Sequence, residues 1–324
     1  MKTRKLGING PEVSSIAIGS RAVSDVEGAK QQTIKTLQTA IDRGVNFINT
    51  ADFYGMGKNE LYIGEAIKGR REKVFLSVKT GSLRDPKGRF IGLDCRPEAI
   101  KNFCSYSLTR LDVDVIDLYQ PARVDPNVPI EETVGAIKDL IQEGKVRYLG
   151  LSEANADQLK RAYAVHPVSA LEIEYSLATR FIENEILPTT RQLGVSIVPY
   201  SVLSYGLLSG NMTVPLAESD YRKTFPRFQG ENLEYNLKLI DILKEMAAQK
   251  GTSAGSLALA WVYQQGEDII PIVGMSRPER VAENLIALEI EFTESEMILL
   301  NETFKIGALK GDRYSAMMQK WVAQ

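Results

Sequence analysis

Hydrophobic and polar positions along the chain vary in a two-part pattern. Short apolar, β-branched runs of the kind that form strands buried on both faces lead through a polar turn into longer stretches of helical period. The runs predict strands at 15–18, 46–49, 74–78, 115–119, 146–150, 169–173, 196–199 and 269–273. The periodic stretches predict helices over 29–42, 59–67, 97–111, 129–143, 156–163, 183–193, 234–249 with 253–265, and 277–287. Gly44 and Gly144 stand where a left-handed helix stop is wanted, and Pro97 suits a first helical turn.

Strands that alternate with helices pair in parallel through right-handed crossovers, and eight such units predict a closed (β/α)8 TIM barrel. An open doubly wound sheet is the competing architecture, but no Gly-x-Gly-x-x-Gly turn follows an early strand. Ahead of the first strand, 4–6 and 12–13 around Asn9-Gly10 predict a β-hairpin that plugs the bottom of the barrel. Segments 81–96, 201–232 and 294–324 are longer than connections need, and long loops on a rigid barrel carry specificity. Residues 1–324 read as one barrel domain.

Composition narrows the function. A net charge of −2 argues against nucleic acid or an anionic membrane as the main partner. No apolar run reaches spanning length and no signal-peptide core follows Met1, so the expected location is the cytoplasm. Cys95 and Cys104 are too few for a disulfide framework, and one histidine, His166, makes a transition-metal site unexpected.

In a barrel the C-terminal strand ends converge on one mouth. Asp52 and Tyr54 come from the second strand and Lys79 from the third. Ala122 and Arg123 come from the fourth, Ser152 and Glu153 from the fifth, Glu172 from the sixth and Tyr200 from the seventh. A phenol is a poor acid at neutral pH, and an adjacent ammonium favours its ionised form. Asp52 is expected beside Lys79, keeping it charged and oriented. An ordinary buried ion pair and a rim aromatic explain these residues singly; together, at successive strand ends, they point to proton transfer. The segment from Gly274 to Asn284 reads as an anion loop opening a helix, with Arg277 and Arg280 suited to a phosphate monoester.

The motifs NTADFYGMGKNE, VFLSVKT, RLDVDVIDLYQ, GKVRYLGLSEANADQL, HPVSALEIEYSL, GVSIVPYSVLSYGLLSG and IIPIVGMSRPERVAENLIAL occur in that order. Over nearly its full length the chain resembles the aldo-keto reductases, in a bacterial and plant-type subgroup. The resemblance implies a barrel binding NADPH/NADP+ without a Rossmann fold. Hydride passes to a small-molecule aldehyde or ketone, with Tyr54 as general acid, Lys79 tuning it and Asp52 holding the lysine. By the same resemblance, Gly19, Ser20 and Asp52 lie on the cofactor, Ser152 and Glu172 meet the carboxamide, and Tyr200 stacks on the nicotinamide. Ser201 and Leu203 line the pyrophosphate. Ser276, Arg277 and Arg280 hold the 2′-phosphate, Gly274 lies on the cofactor beside them, and Glu283 and Asn284 meet the adenine end.

Three positions depart from the family pattern. The family's catalytic histidine follows the fourth strand, where this chain has Ala122; His166 precedes Pro167 in a loop and does not replace it. Glu172 stands where a glutamine is usual, and a carboxylate there favours the oxidised, positively charged ring. Glu153 stands where many members have asparagine. The expected outcome is a slow or narrow reductase. The alternatives are an NADPH-binding redox sensor with little turnover, or an NADP-dependent alcohol or sugar dehydrogenase.

Overall fold

A computed structural model describes residues 1–21 and 30–323. The chain opens with β1 (Thr3–Lys5) and β2 (Glu12–Ser14), an antiparallel hairpin with Arg4 opposite Val13. It continues through β3 (Ala17–Gly19), α1 (Lys30–Asp42), β4 (Phe47–Ala51), α2 (Lys58–Ile67) and β5 (Phe75–Thr80). A second hairpin, β6 (Ser82–Arg84) with β7 (Phe90–Leu93), precedes α3 (Pro97–Leu111), β8 (Ile116–Pro121), α4 (Ile130–Gln142) and β9 (Val146–Ser152). Then come α5 (Ala156–Val165), β10 (Val168–Glu174), α6 (Ile186–Leu193), β11 (Ser196–Tyr200), α7 (Gly230–Gln249) and α8 (Ala254–Tyr263). The last elements are β12 (Ile272–Gly274), α9 (Pro278–Ala287), α10 (Glu294–Thr303) and α11 (Ala316–Gln319).

The eight-stranded sheet is parallel and takes β3, β4, β5, β8, β9, β10 and β11 in chain order, with β12 against β3. A parallel bridge between Ile197 and Ile269 brings the other edge round, with Ile270 N donating to Ile197 O at 2.9 Å. This is the predicted (β/α)8 barrel, with the N-terminal hairpin in place. Leu6 and Val13 of that hairpin are fully buried against Phe47, Phe75, Leu118, Val198 and Ile270, so apolar side chains stopper the barrel's lower end. A larger cluster fills the space between strands and helices.

Local chemistry explains the element ends. Gly44 and Gly144 have φ of +85° and +74° and end their helical stretches as expected. Asn155 and Gln158 form a reciprocal capping box that starts α5. The structure also differs from the periodicity in places. Residues 81–96 contain the β6–β7 hairpin, whose turn is set by Asp85 accepting from the backbone N–H groups of Lys87 and Arg89 at 2.9 and 2.8 Å. The eighth strand is laddered against β3 only from Ile272, with Ala17 N donating to Pro271 O at 2.9 Å just before it, while Ile269 bridges β11 on the other edge. Helix α7 starts earlier than predicted, at Gly230, held by Asn236 Nδ2 donating to Arg227 O at 3.1 Å. Ala29, the expected start of the first helix, lies outside the described residues, as does Gln324. No helix among the described residues is long and apolar enough to cross a membrane.

Candidate active site

The predicted residues converge on the C-terminal rim because each follows or ends a parallel strand. Asp52 follows β4, and its backbone N–H extends the ladder to Lys79 O at 3.0 Å. Tyr54 opens a short turn into α2, with Gly55 and Met56 in left-handed backbone. The Lys79 ammonium lies 5.4 Å from the centre of the Tyr54 ring. Phe53 packs edge-on against Tyr54, with ring centres 5.1 Å apart.

The expected Asp52–Lys79 pair is not formed. Lys79 Nζ instead lies 2.9 Å from Glu172 Oε1 and donates to Asn49 Oδ1 at 2.5 Å. Glu172 Oε2 also accepts from Asn49 Nδ2 and Gln120 Nε2, both at 2.7 Å. The reason is strand geometry: successive side chains leave opposite faces. Lys79 faces the barrel interior with Glu172, whereas the next residue, Thr80, faces outward and donates to Asp52 Oδ2 at 2.7 Å. Loss of water pushes the Asp52 carboxyl up to about 7, against the opposing Thr80 hydrogen bond and the nearby Arg110 and Arg84 guanidiniums. Asn49, Gln120 and Thr80 were not singled out by the sequence. The available signal was a polar residue within an otherwise apolar strand end.

Ala122, just beyond β8, is buried and donates its N–H to Thr80 O at 2.8 Å. Arg123 folds back, and its Nη1 donates to Ala122 O at 2.5 Å. Across the rim, Tyr200 donates its hydroxyl to Glu153 Oε1 at 2.8 Å and lies 2.9 Å from the Tyr314 hydroxyl. Arg313 from the tail bonds Glu153 at 3.0 Å and Glu174 at 3.2 Å. Burial works against ionisation of Glu153, yet Arg313 and Arg123 hold its carboxyl below the ordinary value. Nothing in the sequence near Arg313 signalled that contact.

The remaining predicted positions share the same rim. Gly19 pairs with Gly274 across β3 and β12. A Cβ at Gly274 would meet no atom within 4 Å, so its backbone borders open space. Ser20 is already used, its hydroxyl lying 2.8 Å from Asn49 O and 2.7 Å from Asn59 Oδ1 with one proton to donate between them. Ser201 takes up left-handed backbone directly after Tyr200, and Leu203 packs on the core. Ser276 O accepts from Gln32 Nε2 at 2.7 Å. Arg277 precedes Pro278 at the start of α9, and Arg280 bonds Glu283 at 2.5 Å. Of the predicted positions, Ser152 and Asn284 each carry a buried side-chain atom with no hydrogen-bond partner, Oγ and Nδ2. Buried polar atoms are normally satisfied, so both mark places where a bound group would complete the bonding.

The family model for the Aldo/keto reductase family matches residues 15–304. The probable aldo-keto reductase 1 of Glycine max is 41% identical over 317 residues, covering 96% of this chain and 91% of that protein. The glycerol dehydrogenase AKR11B4 from Gluconobacter oxydans superposes with a TM-score of 0.87 at 29% identity, over 95% of this chain and 96% of its own. An aldo/keto reductase from Klebsiella pneumoniae, in complex with NADP and acetate, shares the fold with a TM-score of 0.75 at 24% identity, covering 94% and 96% of the two chains. From the first barrel strand to the helix before the tail, this chain belongs to the aldo/keto reductase family.

Proposed function

We propose that the protein reduces an aldehyde or ketone with NADPH, Tyr54 donating the proton. The carrying observation is the Tyr54 ring lying 5.4 Å from the Lys79 ammonium at adjacent strand ends. The bound nicotinamide would supply the hydride. As Tyr54 O–H donates to the carbonyl oxygen, negative charge develops on the phenol, and Lys79 stabilises it from a fixed position. Glu172 and Asn49 hold that ammonium; Asp52 supports the turn that carries Tyr54 through its bond to Thr80.

Family membership supports the cofactor, and the residues present fit it. Ser152 Oγ and Asn284 Nδ2 are the unpartnered atoms that a carboxamide and an adenine would engage. Arg277 and Arg280, at the exposed start of α9, suit the 2′-phosphate of NADPH. The glycerol dehydrogenase relative supports a second reading, oxidation of an alcohol in the reverse direction.

The test is NADPH consumption across a carbonyl panel for the native protein and Tyr54→Phe. The proposal expects turnover by the native protein and a loss of about 10²–10⁴-fold in kcat for the variant, with NADPH binding retained. NADPH binding without turnover on any carbonyl would favour the redox-sensor alternative.

A further inference from the structure

Beyond α10 the tail returns to the mouth and is fastened there by buried polar groups. Arg313 lies between two carboxylates, 3.0 Å from Glu153 Oε2 and 3.2 Å from Glu174 Oε2. It also donates to Ala323 O, while Ala323 N donates to Glu153 Oε2 at 3.0 Å, so the tail closes on the same carboxylate twice. Next to Arg313, the Tyr314 hydroxyl accepts from Tyr205 at 2.9 Å and lies 2.9 Å from the Tyr200 hydroxyl. Tyr200 donates to Glu153 Oε1 at 2.8 Å. Each phenol has one proton, so the chain of donors runs from Tyr205 to Tyr314 to Tyr200 to Glu153.

These contacts gather three neighbouring strand ends. Glu153 follows β9, Glu174 ends β10 and Tyr200 ends β11. In the sheet Ser152 pairs with Glu172, and Glu174 pairs with Tyr200. Glu153 and Ser201, just past β9 and β11, take left-handed backbone with φ of +55° and +52°. Residues with a side chain keep such backbone only where their surroundings fix it. Glu153 is fixed by Arg313, Ala323, Tyr200 and the Glu174 N–H.

The tail also touches the rim further round. Trp321 packs edge-on against Phe90, with ring centres 5.7 Å apart. Phe90 begins β7, in the hairpin that follows β5. The tail therefore follows the rim from the end of β11 to the hairpin after β5, past the ends of β10 and β9.

We propose that Arg313 and Tyr314 are positioning residues for the nicotinamide half of the cofactor, so that docking of the tail and cofactor binding reinforce each other. This rests on the cofactor reading in which Ser152 Oγ engages the carboxamide. Ser152 directly precedes Glu153, and its buried Oγ has no partner in the protein. Whatever holds the Glu153 backbone in its left-handed state also sets where that hydroxyl stands. Desolvation offsets much of the attraction in a buried ion pair, so the contribution of Arg313 is to geometry more than to stability. Coupling between two sites is reciprocal: what the docked tail adds to cofactor affinity, bound cofactor adds to the docking of the tail.

The test reads both directions. In hydrogen exchange on the native protein, amides of 313–323 should exchange about fivefold or more slowly with saturating NADPH. Saturating 2′,5′-ADP, which lacks the nicotinamide, should leave them unchanged. In fluorescence titrations, Tyr314→Phe removes one hydroxyl and keeps the ring. It should weaken NADPH and NADH binding by the same factor, about threefold or more. Arg313→Met should weaken both by about tenfold or more, and Arg313→Lys should recover part of the loss. Tail exchange unchanged by NADPH, equal protection by 2′,5′-ADP, or unaltered affinities in a folded Tyr314→Phe would overturn the inference; so would a loss confined to NADPH. Tail protection by NADPH without turnover of any carbonyl would sink the reductase reading and leave the inference standing. Turnover without tail protection would do the reverse, and a native protein that binds neither cofactor overturns both.

Discussion

Lys79 Nζ sits 2.9 Å from Glu172 Oε1, and both side chains are almost fully buried. The lysine nearest the candidate proton donor is therefore oriented from across the barrel by β10, with Asn49 and Gln120 converging on the same carboxylate. Glu172 is neutralised by this ion pair, which weakens any preference it would give to an oxidised ring.

Replacing Glu172 with Gln removes one partner of a buried pair and leaves the ammonium uncompensated. The expected cost is about 3 kcal/mol of folding stability. Denaturant unfolding measures it, and an unchanged midpoint would mean the pair contributes no more than an exposed one.

Asp52 imposes a pH dependence whose sign is fixed by burial. Its folded carboxyl, at about 7, lies above the ordinary 3.8, so the folded state keeps a proton that the unfolded chain releases. This contribution is fully present below 3.8 and is lost as pH rises through about 7. Thermal midpoints of the native protein should decline over that window, and Asp52→Asn should flatten the decline. Parallel profiles for the two proteins would contradict the assignment.

Ala122→His places a polar donor on the rim. A preorganised donor of this kind is worth roughly 10²–10³ in rate, so kcat on small neutral aldehydes should rise toward that range. Steady-state kinetics with NADPH is the check. A flat or lower rate would show that the lack of a donor at Ala122 does not limit turnover.

Arg277→Ala should weaken NADPH binding by about tenfold or more while changing NADH binding little, since only NADPH carries the extra phosphate. Fluorescence titration of both cofactors measures the ratio. Equal losses would place Arg277 outside phosphate recognition.

Much of this arrangement was legible from sequence. The strand–helix alternation predicted the barrel, and strand ends placed Asp52, Tyr54 and Lys79 on one rim because parallel strands in a barrel all end on the same side. The N-terminal hairpin was legible from its turn and its alternating residues. The β6–β7 hairpin was not, because its strands are short and its turn depends on how Asp85 folds back onto the backbone.

Local pattern determined which elements form, their order, and which residues reach the mouth, since those follow from periodicity and chain direction. Partner choice among the charged groups depended on the tertiary structure. Lys79 takes Glu172 over Asp52, and Arg313 crosses from the tail to Glu153. The physical reason is that Coulomb energies and desolvation depend on distances across the closed barrel, between residues as far apart in the chain as Glu153 and Arg313. The strand alternation that turns Lys79 inward and Thr80 outward is written locally, but which carboxylate waits on each face is decided only when the barrel closes.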